Sequence, residues 1–579
     1  MPNYTVSLTK IKFNTHHNKK YKVKVARIDL TESSVKISEI PKEWEKLYIG
    51  GKGVATKLLF EIPVKVDPFS PENAIIFGIG PLNGIRISGA SRMTCVFKSP
   101  MTNGYGESQC GGFIAYEMKK TGIDFLFITG KAKKPVYISV KDEEIEIRDA
   151  SHLWGKDCYE TEEILRKDEG GEVLSIGQAG ENLVRFACIT HRKGRQFGRC
   201  GAGAVMGSKK LKAIVIQGSR EVEVAKPDEL KEFRKWLNEN VVKKLEAMRR
   251  YGTPNMVDVV NKAGVFPTKY WEKGSFEYAK MINAEALKKY VKRSSACYAC
   301  TVSCGKISKI NDIEVEGPEY ETIFAFGSLC YNSDIESIIK ANDLCDRYGM
   351  DTISAGNVIA YYMACCEKNG IGSIKFGDSE AILDLLKKIA FRDGIGNVLA
   401  EGVARASKVL KASVEPVHVR GLELPGYDPR GLYGMALSYV TSQRGACHMR
   451  SCAYRPNLTG VVDRFLAEGQ ASLVKELEDF YCVVDSLVFC RFLCLPVIGM
   501  SWKEIAKLYE IVTGKKITVE DLKRAGERIH NLTREFNIRE GVEKAELPKV
   551  FFKPNDRGFV LRKEDYEFMV KEYYEKRNR

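Results

Sequence analysis

Short apolar runs separated by turn residues fill the first part of the chain. Tyr21 to Ile28, Ala74 to Phe77, Thr94 to Phe97, Phe125 to Ile128, Val136 to Val140 and Ala213 to Ile216 all have the length and β-branched or aromatic content of strands. Turn signals lie between them, such as Thr102-Asn103-Gly104, while Thr129-Gly130 closes an apolar run. From about Lys226 the spacing becomes helical. Ile335, Ile338, Ile339 and Leu344 recur on one helix face up to Gly349, a C-terminal stop. Asp351 or Ser354 then caps a second helix through Val358 to Cys365. Further helices are predicted over Ala381 to Phe391 and Val398 to Leu410, followed by a Gly/Pro-rich interruption from Gly421 to Gly434 and more helix beyond. The pattern is α+β: a sheet-rich part over residues 1–217, then mainly helical chain. No 20–50-residue repeat and no low-complexity linker is present, so the parts are expected to pack together.

Composition adds a constraint. The chain has 579 residues, 44% hydrophobic and 28% charged, which suits a folded protein of several domains and excludes disorder. Its +15 net charge fits nucleic acid, an anionic membrane or an acidic protein, and selects none of them. Met1 to Lys20 lacks an apolar signal core and carries His16, His17, Lys19 and Lys20. The most apolar long stretch, Phe480 to Met500, contains Asp485, Arg491 and Pro496, so no membrane span is expected. The 17 cysteines are odd in number and argue against a secreted disulfide scaffold. The expected setting is a reducing cytoplasm, where clustered cysteines mean metal or redox chemistry.

Cys297-Tyr-Ala-Cys300-Thr-Val-Ser-Cys304 is a C-x2-C-x3-C group. A tight turn can aim its thiolates at one metal cluster, and a [4Fe-4S] cube then needs a distant fourth cysteine, Cys490 or Cys494. A four-cysteine zinc knot is the alternative that this spacing also serves. Cysteines in apolar runs, such as Cys365 and Cys366, read as buried hydrophobes.

Several segments, in order, resemble the tungsten-containing aldehyde ferredoxin oxidoreductases of anaerobic and hyperthermophilic microbes. They are Ile49-Gly-Gly-Lys-Gly53, Lys98 to Gly112, Gly198 to Lys209, the C-x2-C-x3-C group, Glu316-Gly-Pro-Glu-Tyr-Glu-Thr322 and Asp428-Pro-Arg-Gly431. The resemblance implies a tungsten held by the dithiolenes of two pterins (tungstopterin), with a [4Fe-4S] cluster nearby. It also implies three domains: a pterin-binding sheet base over 1–217, a helical domain with the cysteine motif over 218–420 and a helical C-terminal domain over 421–579.

By the same resemblance, two D-x-x-G-L-(C/D) motifs mark the pterins. Asp346-Arg-Tyr-Gly-Met-Asp351 matches the first with Met350 in place of Leu, and Asp485-Ser-Leu-Val-Phe-Cys490 matches the second with Val488 and Phe489 in place of Gly-Leu. Ionised carboxylates accept a fork of pterin N–H donors in parallel. Without the family, Asp485 would read as a buried, capped carboxylate and Asp346 as a solvated charge on a helix face. Cys490 is the preferred fourth cluster ligand, with Cys297, Cys300 and Cys304. Gly201 to Lys209 lacks Walker spacing but can present backbone N–H groups to pterin phosphates bridged by Mg²⁺. Arg92, Gln109 (where the family often has Asn), Gly111, Arg199, Cys200 and Ala202 are the matching cofactor positions.

For chemistry the family places a histidine near tungsten, here His448 in Arg444-Gly-Ala-Cys-His-Met-Arg450, and a glutamate, here Glu321. If that glutamate's segment is extended, Glu319 shares its face and is the fallback. Tyr427 matches a tyrosine near the substrate in one branch. The implied reaction oxidises a small aldehyde to its carboxylic acid, the metal serving as Lewis acid and two-electron acceptor. Glu321 and His448 move protons. Electrons leave through the cluster to ferredoxin, or to a small ferredoxin-like multi-cluster subunit, and the +15 charge helps an acidic carrier dock. No histidine lies between His191 and His418, so the interface iron of some members is not expected. Two rival readings are the tungsten subunit of a low-potential aromatic acyl-CoA reductase and a basic nucleic-acid-binding protein with a structural metal. Dispersed Lys and Arg speak against the latter.

Overall fold

The computed structural model describes residues 22–578. The Met1 to Lys20 segment and Tyr21 lie outside the described residues. All six apolar runs contain strands, and six more complete two mixed sheets. The first sheet comprises β1 (Lys24–Asp29), β2 (Ser34–Glu39), β3 (Ile75–Gly78), β4 (Met93–Lys98), β5 (Tyr105–Cys110) and β6 (Phe125–Thr129), in the order β2-β1-β6-β3-β4-β5. The second comprises β7 (Val136–Lys141), β8 (Glu144–Asp149), β9 (Glu172–Ser175), β10 (Ile189–His191), β11 (Arg195–Phe197) and β12 (Leu211–Gln217).

Read from one edge, the second sheet runs β8-β7-β12-β9-β10-β11, the same plan as the first. Each half starts with a hairpin, β1-β2 or β7-β8, and ends with a strand parallel to the first: Val25 pairs with Phe125, and Ile214 with Ile138. In each half a short helix, Ile114–Thr121 or Ala202–Ser208, precedes that last strand. The base is therefore one unit built twice, over residues 24–129 and 136–217, a repeat longer than any period visible in the sequence. Turn chemistry holds where it was expected. Asn103 takes φ +58 in the β4-β5 connection and Gly130 takes φ +79 after β6. A Cβ at Gly130 would lie 2.5 Å from Oδ1 of Asp29.

The chain after Lys226 is mainly helical, with two corrections. A three-stranded antiparallel sheet, β13 (Val291–Ser295), β14 (Gly305–Ile310) and β15 (Ile313–Glu316), interrupts it. The C-x2-C-x3-C group sits in the β13-β14 connection, so its turn is anchored at both ends by sheet. A second correction concerns Val398 to Leu410. It divides into helices Ile395–Leu399 and Val403–Leu410 because Gly402 takes φ +81 and Glu423 accepts the Val403 N–H at 2.8 Å.

Helix Ile335–Tyr348 ends on Gly349 at φ +73, and Asp351 caps helix Thr352–Asn369 by accepting the Ile353 N–H at 3.0 Å. Residues from Val25 to Tyr573 join one continuous apolar core, so base and helices pack directly on each other. Among the described residues, no helix is long and apolar enough to cross a membrane.

Candidate functional site

The β13-β14 connection makes a tight loop, with Ala299 at φ +54 and Ser303 at φ +51. It leaves Cys297, Cys300 and Cys304 half-buried, and Cys490 is half-buried too; the other thirteen cysteines, including Cys494, are fully buried. Burial pushes the Cys300 thiol up to about 11, and the nearby sulfurs of Cys490 and Cys297 add to that rise; burial and the same two sulfurs also raise Cys304. Backbone N–H groups already point at the sulfurs. Gly112 donates to Cys297 Sγ at 3.3 Å, Val302 and Ser303 donate to Cys300, and Phe492 and Leu493 to Cys490. A Cβ at Gly111 would stand 2.9 Å from Cys297 Sγ, so only glycine leaves the sulfur room. Among the described residues, no three His, Cys, Asp or Glu side chains close on a single-ion position.

The two pterin-type motifs are the same helix stop. Asp346 lies in the last turn of helix Ile335–Tyr348 and Asp485 in the last turn of helix Gln470–Ser486. Each helix then breaks at a left-handed residue, Gly349 at φ +73 and Val488 at φ +54. The next N–H reaches back five residues: Met350 to Cys345 O at 2.8 Å, Phe489 to Val484 O at 3.0 Å. Val488 thus keeps the shape that glycine gives freely, at roughly 1–2 kcal/mol for a non-glycine residue.

Both carboxylates are buried, which corrects the reading of Asp346 as a solvated charge. Asp346 accepts from Gln196 Nε2 and Asn342 Nδ2, each at 2.8 Å. Asp485 is gripped by both Nε (2.9 Å) and Nη2 of Arg491 and accepts from Arg450 Nη1 at 3.1 Å. Asp351 pairs with Arg199 Nε at 3.1 Å while capping its helix.

Around Asp485 lies a cationic chamber. Lys52 Nζ is 2.9 Å from Glu107 Oε2, and Arg450 Nη1 donates to Glu107 Oε1 at 2.5 Å. Arg444 Nη1 donates to the Glu107 carbonyl at 2.6 Å. Strand β5 is polar yet almost wholly buried because it walls this chamber. Arg444 Nε, Arg450 Nε and Arg491 Nη1 have no hydrogen-bond partner although buried. Cys447 accepts from Arg444 Nη2 at 2.9 Å and from the Met449 N–H at 3.2 Å. Burial alone would raise its thiol, but Arg444, Arg450, Arg199 and Arg491 outweigh that and hold it at about 6.

Glu321, His448 and Tyr427 meet beside this chamber. Residues Tyr320–Ile323 form a helical turn, so the extended geometry under which Glu319 would share a face with Glu321 is not adopted. Glu319 turns to Thr253, whereas Glu321 faces His448. Glu321 Oε2 accepts the Gly426 N–H at 2.9 Å, leaving Oε1 3.5 Å from His448 Nδ1. Neither Oε1 nor Nδ1 has a hydrogen-bond partner. Burial raises the Glu321 carboxyl to about 8, and burial with the four nearby guanidinium groups drives His448 far below its usual range. At neutral pH the pair is a protonated acid beside a neutral imidazole. The Tyr427 ring is 5.7 Å from His448 and stacks on Tyr454 at 4.3 Å.

The remaining expected positions lie beside the cysteine loop or along the chamber. Arg92 donates to the Gln109 carbonyl at 2.9 Å and faces Cys490, and Gln109 Nε2 reaches the Asp485 carbonyl at 3.4 Å. Arg199 also donates to the carbonyls of Ala446 and Glu423. Cys200 and Gly201 take φ +74 and +86 ahead of Ala202, but Lys209 turns away to the carbonyls of Pro71 and Gly130. Met350 and Phe489 are buried in the two helix stops. Glu107, Arg444, Arg450, Arg491 and Cys447 were missed from sequence, although Arg444, Cys447 and Arg450 flank His448 and Arg491 follows Cys490.

These residues fit the implied groups. Three unpartnered guanidinium N–H atoms in a buried chamber suit an anionic cofactor, and four half-buried thiols with backbone donors suit an iron–sulfur cluster.

Comparison with known proteins gives two matches to the aldehyde ferredoxin oxidoreductase description: its N-terminal domain over residues 25–218, and its domains 2 and 3 over residues 228–578. The tungsten-containing aldehyde ferredoxin oxidoreductase of Pyrococcus furiosus is 37% identical over 95% of both chains. That of Thermococcus kodakarensis is 36% identical over 95% of both. Among solved structures, the active-site complex BamBC of benzoyl coenzyme A reductase matches with a TM-score of 0.82 and 25% identity, over 96% of this chain and 94% of the other.

Proposed function

The chain belongs to the aldehyde ferredoxin oxidoreductase family, and from that premise we propose that it oxidises small aldehydes to carboxylic acids, R-CHO + H₂O → R-COOH + 2H⁺ + 2e⁻, with ferredoxin as the electron acceptor. It is a tungsten-dependent oxidoreductase by family, and a tungsten–pterin group, when bound, supplies Lewis acidity and accepts two electrons. Arg444, Arg450 and Arg491 would face that group, with Asp346 and Asp485 at the pterin edges and Arg199, Cys200, Ala202 and Gln109 toward its phosphates and their Mg²⁺. Cys297, Cys300, Cys304 and Cys490 would hold the [4Fe-4S] cluster, with Arg92 beside Cys490 and Gly111 beside Cys297.

One observation carries the reading: Glu321 Oε1 and His448 Nδ1 stand 3.5 Å apart with no other partner. Hydration and oxidation of a carbonyl release two protons inside a buried site. Protonated Glu321 can give one from Oε1 as charge develops on the carbonyl oxygen, and neutral His448 can accept a hydrogen bond at Nδ1 and relay a proton without holding it. Gly426 fixes the Glu321 carboxyl through Oε2, so Oε1 alone is free to exchange its proton. Tyr427 and Tyr454 form an aromatic wall beside His448 that orients a small substrate and excludes bulk water.

Acyl-CoA reduction, the activity named for the structural neighbour, is the weaker reading, since that likeness is at 25% identity against 37% for the aldehyde enzyme. Anaerobically purified protein should contain about one tungsten and four irons per chain and reduce a viologen dye with simple aldehydes. Zinc without tungsten, or no aldehyde-dependent dye reduction in tungsten-loaded protein, would overturn the proposal.

A further inference from the structure

We infer that a small, acidic electron-carrier protein docks on a basic strip beside the Cys297–Cys304 loop, formed by Arg234 to Arg250 together with Arg86. The inference rests on the function proposed above. Segment Arg234 to Arg250 carries six cations, Arg234, Lys235, Lys243, Lys244, Arg249 and Arg250, against two carboxylates, Glu239 and Glu246. All six cations are exposed, and none forms an ion pair among the described residues, whereas Lys226 and Lys231 just before them pair with Glu229 and Asp228.

A charged run is ordinarily a solvated face, but this one is tied to the cysteine loop at three points. Asn238, on the same face of helix Pro227–Asn240 as Arg234, accepts from Thr301 Oγ1 at 2.8 Å. Helix Glu246–Tyr251 ends with Arg249 and Arg250 at Gly252, where a Cβ would lie 2.8 Å from the Cys304 carbonyl. Ser88 hydroxyl accepts the Thr301 N–H at 2.9 Å, and two residues away exposed Arg86 hydrogen-bonds Tyr298, next to Cys297. Tyr298 stacks on Tyr116 at 3.9 Å, giving the strip a flat aromatic margin. Ala299 and Thr301 are exposed, so a bound protein would touch the loop itself. Unpaired cations of one sign steer an oppositely charged partner and speed encounter.

The test measures binding directly. An acidic two-cluster bacterial-type ferredoxin is titrated calorimetrically into metal-loaded, full-length protein at low salt and at about 0.5 M salt, where exposed charges are screened. Lys243→Glu/Lys244→Glu and Arg234→Glu/Lys235→Glu should each weaken low-salt binding by at least about tenfold and flatten its salt dependence. Lys36→Glu, exposed on β2 at the far edge of the first sheet, should leave binding unchanged, and dye-linked aldehyde turnover should be unchanged in all three. Unaltered binding in both double variants, or an equal loss in Lys36→Glu, would overturn the docking site. Failure of wild-type protein to oxidise aldehydes with dye would count against the proposed function alone, because the binding measurement still judges the strip.

Discussion

Nδ1 of His448 stands 3.5 Å from Oε1 of Glu321, and each atom lacks any other hydrogen-bond partner. With the carboxyl raised to about 8 by burial, Glu321 is mainly protonated at neutral pH and ionises above that value. If the proton at Oε1 is used in turnover, kcat should fall as pH rises through about 8. Glu321→Gln should lower kcat by about 10²–10⁴-fold, the usual weight of a general acid or base, while metal content stays at the wild-type level. Elemental analysis beside a pH–rate profile checks both.

Cys447 gives a second, separable test. Its thiolate adds negative charge near Glu321 and helps raise that carboxyl. Cys447→Ser removes the charge, so the Glu321 pKa falls and the alkaline limb of the profile should move to lower pH. A Cys447→Ala variant should move it the same way, because the lost charge and not the hydroxyl is responsible. An unmoved limb in both variants would show that another group sets it.

Of the six strands legible as apolar runs, β3, β4, β6, β7 and β12 are buried on both faces almost throughout, and β1 only in part. Strand β5, Tyr-Gly-Glu-Ser-Gln-Cys, was illegible because it is buried against charge: Glu107 lies under Lys52, Arg444 and Arg450. The doubled plan of the base was hidden because topology, not residue identity, repeats. Glu321, His448 and Tyr427 came from family resemblance, and the structure brings them together. From sequence Cys447 has no metal role and nothing shows its acidity, because that depends on Arg199 and Arg491 as well as its neighbours, a convergence that no local pattern encodes. Val488 departs from the motif in sequence and keeps it in backbone, at φ +54 where its counterpart Gly349 has +73.

Accessibility favours Cys490 over Cys494 as the proposed fourth cluster ligand. Cys490 is half-buried and receives the Phe492 and Leu493 N–H groups, whereas Cys494 is buried with its thiol held well above the usual range by desolvation. Cys490→Ser should drop iron below about four per chain and alter the electron paramagnetic resonance signal of the reduced protein. Cys494→Ser should keep both. Gly111→Ala should also lower iron content, because its methyl would meet Cys297 Sγ at 2.9 Å.

The C-terminal helix Lys563–Arg577 is fastened by its last residue. Arg577, only 1% exposed in its side chain, bonds Asp479 through Nη1 and lies 3.2 Å from Glu478 through Nη2, while Tyr573 donates to Glu478. Arg577→Met would leave buried Glu478 without its guanidinium and Asp479 with Lys475 alone, a loss of about 3–5 kcal/mol. Spread over an unfolding entropy of about 1.2 kcal/mol/K for a chain of this length, that is a Tm drop of roughly 3–4 °C by calorimetry. Removing the charges on both sides should reverse much of it. Arg577→Met combined with Glu478→Gln and Asp479→Asn leaves no uncompensated charge, so its Tm should lie closer to wild type than that of Arg577→Met alone. A triple variant no more stable than the single one would show that Arg577 contributes through packing of its stem on Tyr573, 5.2 Å from the guanidinium carbon, and not through its charge.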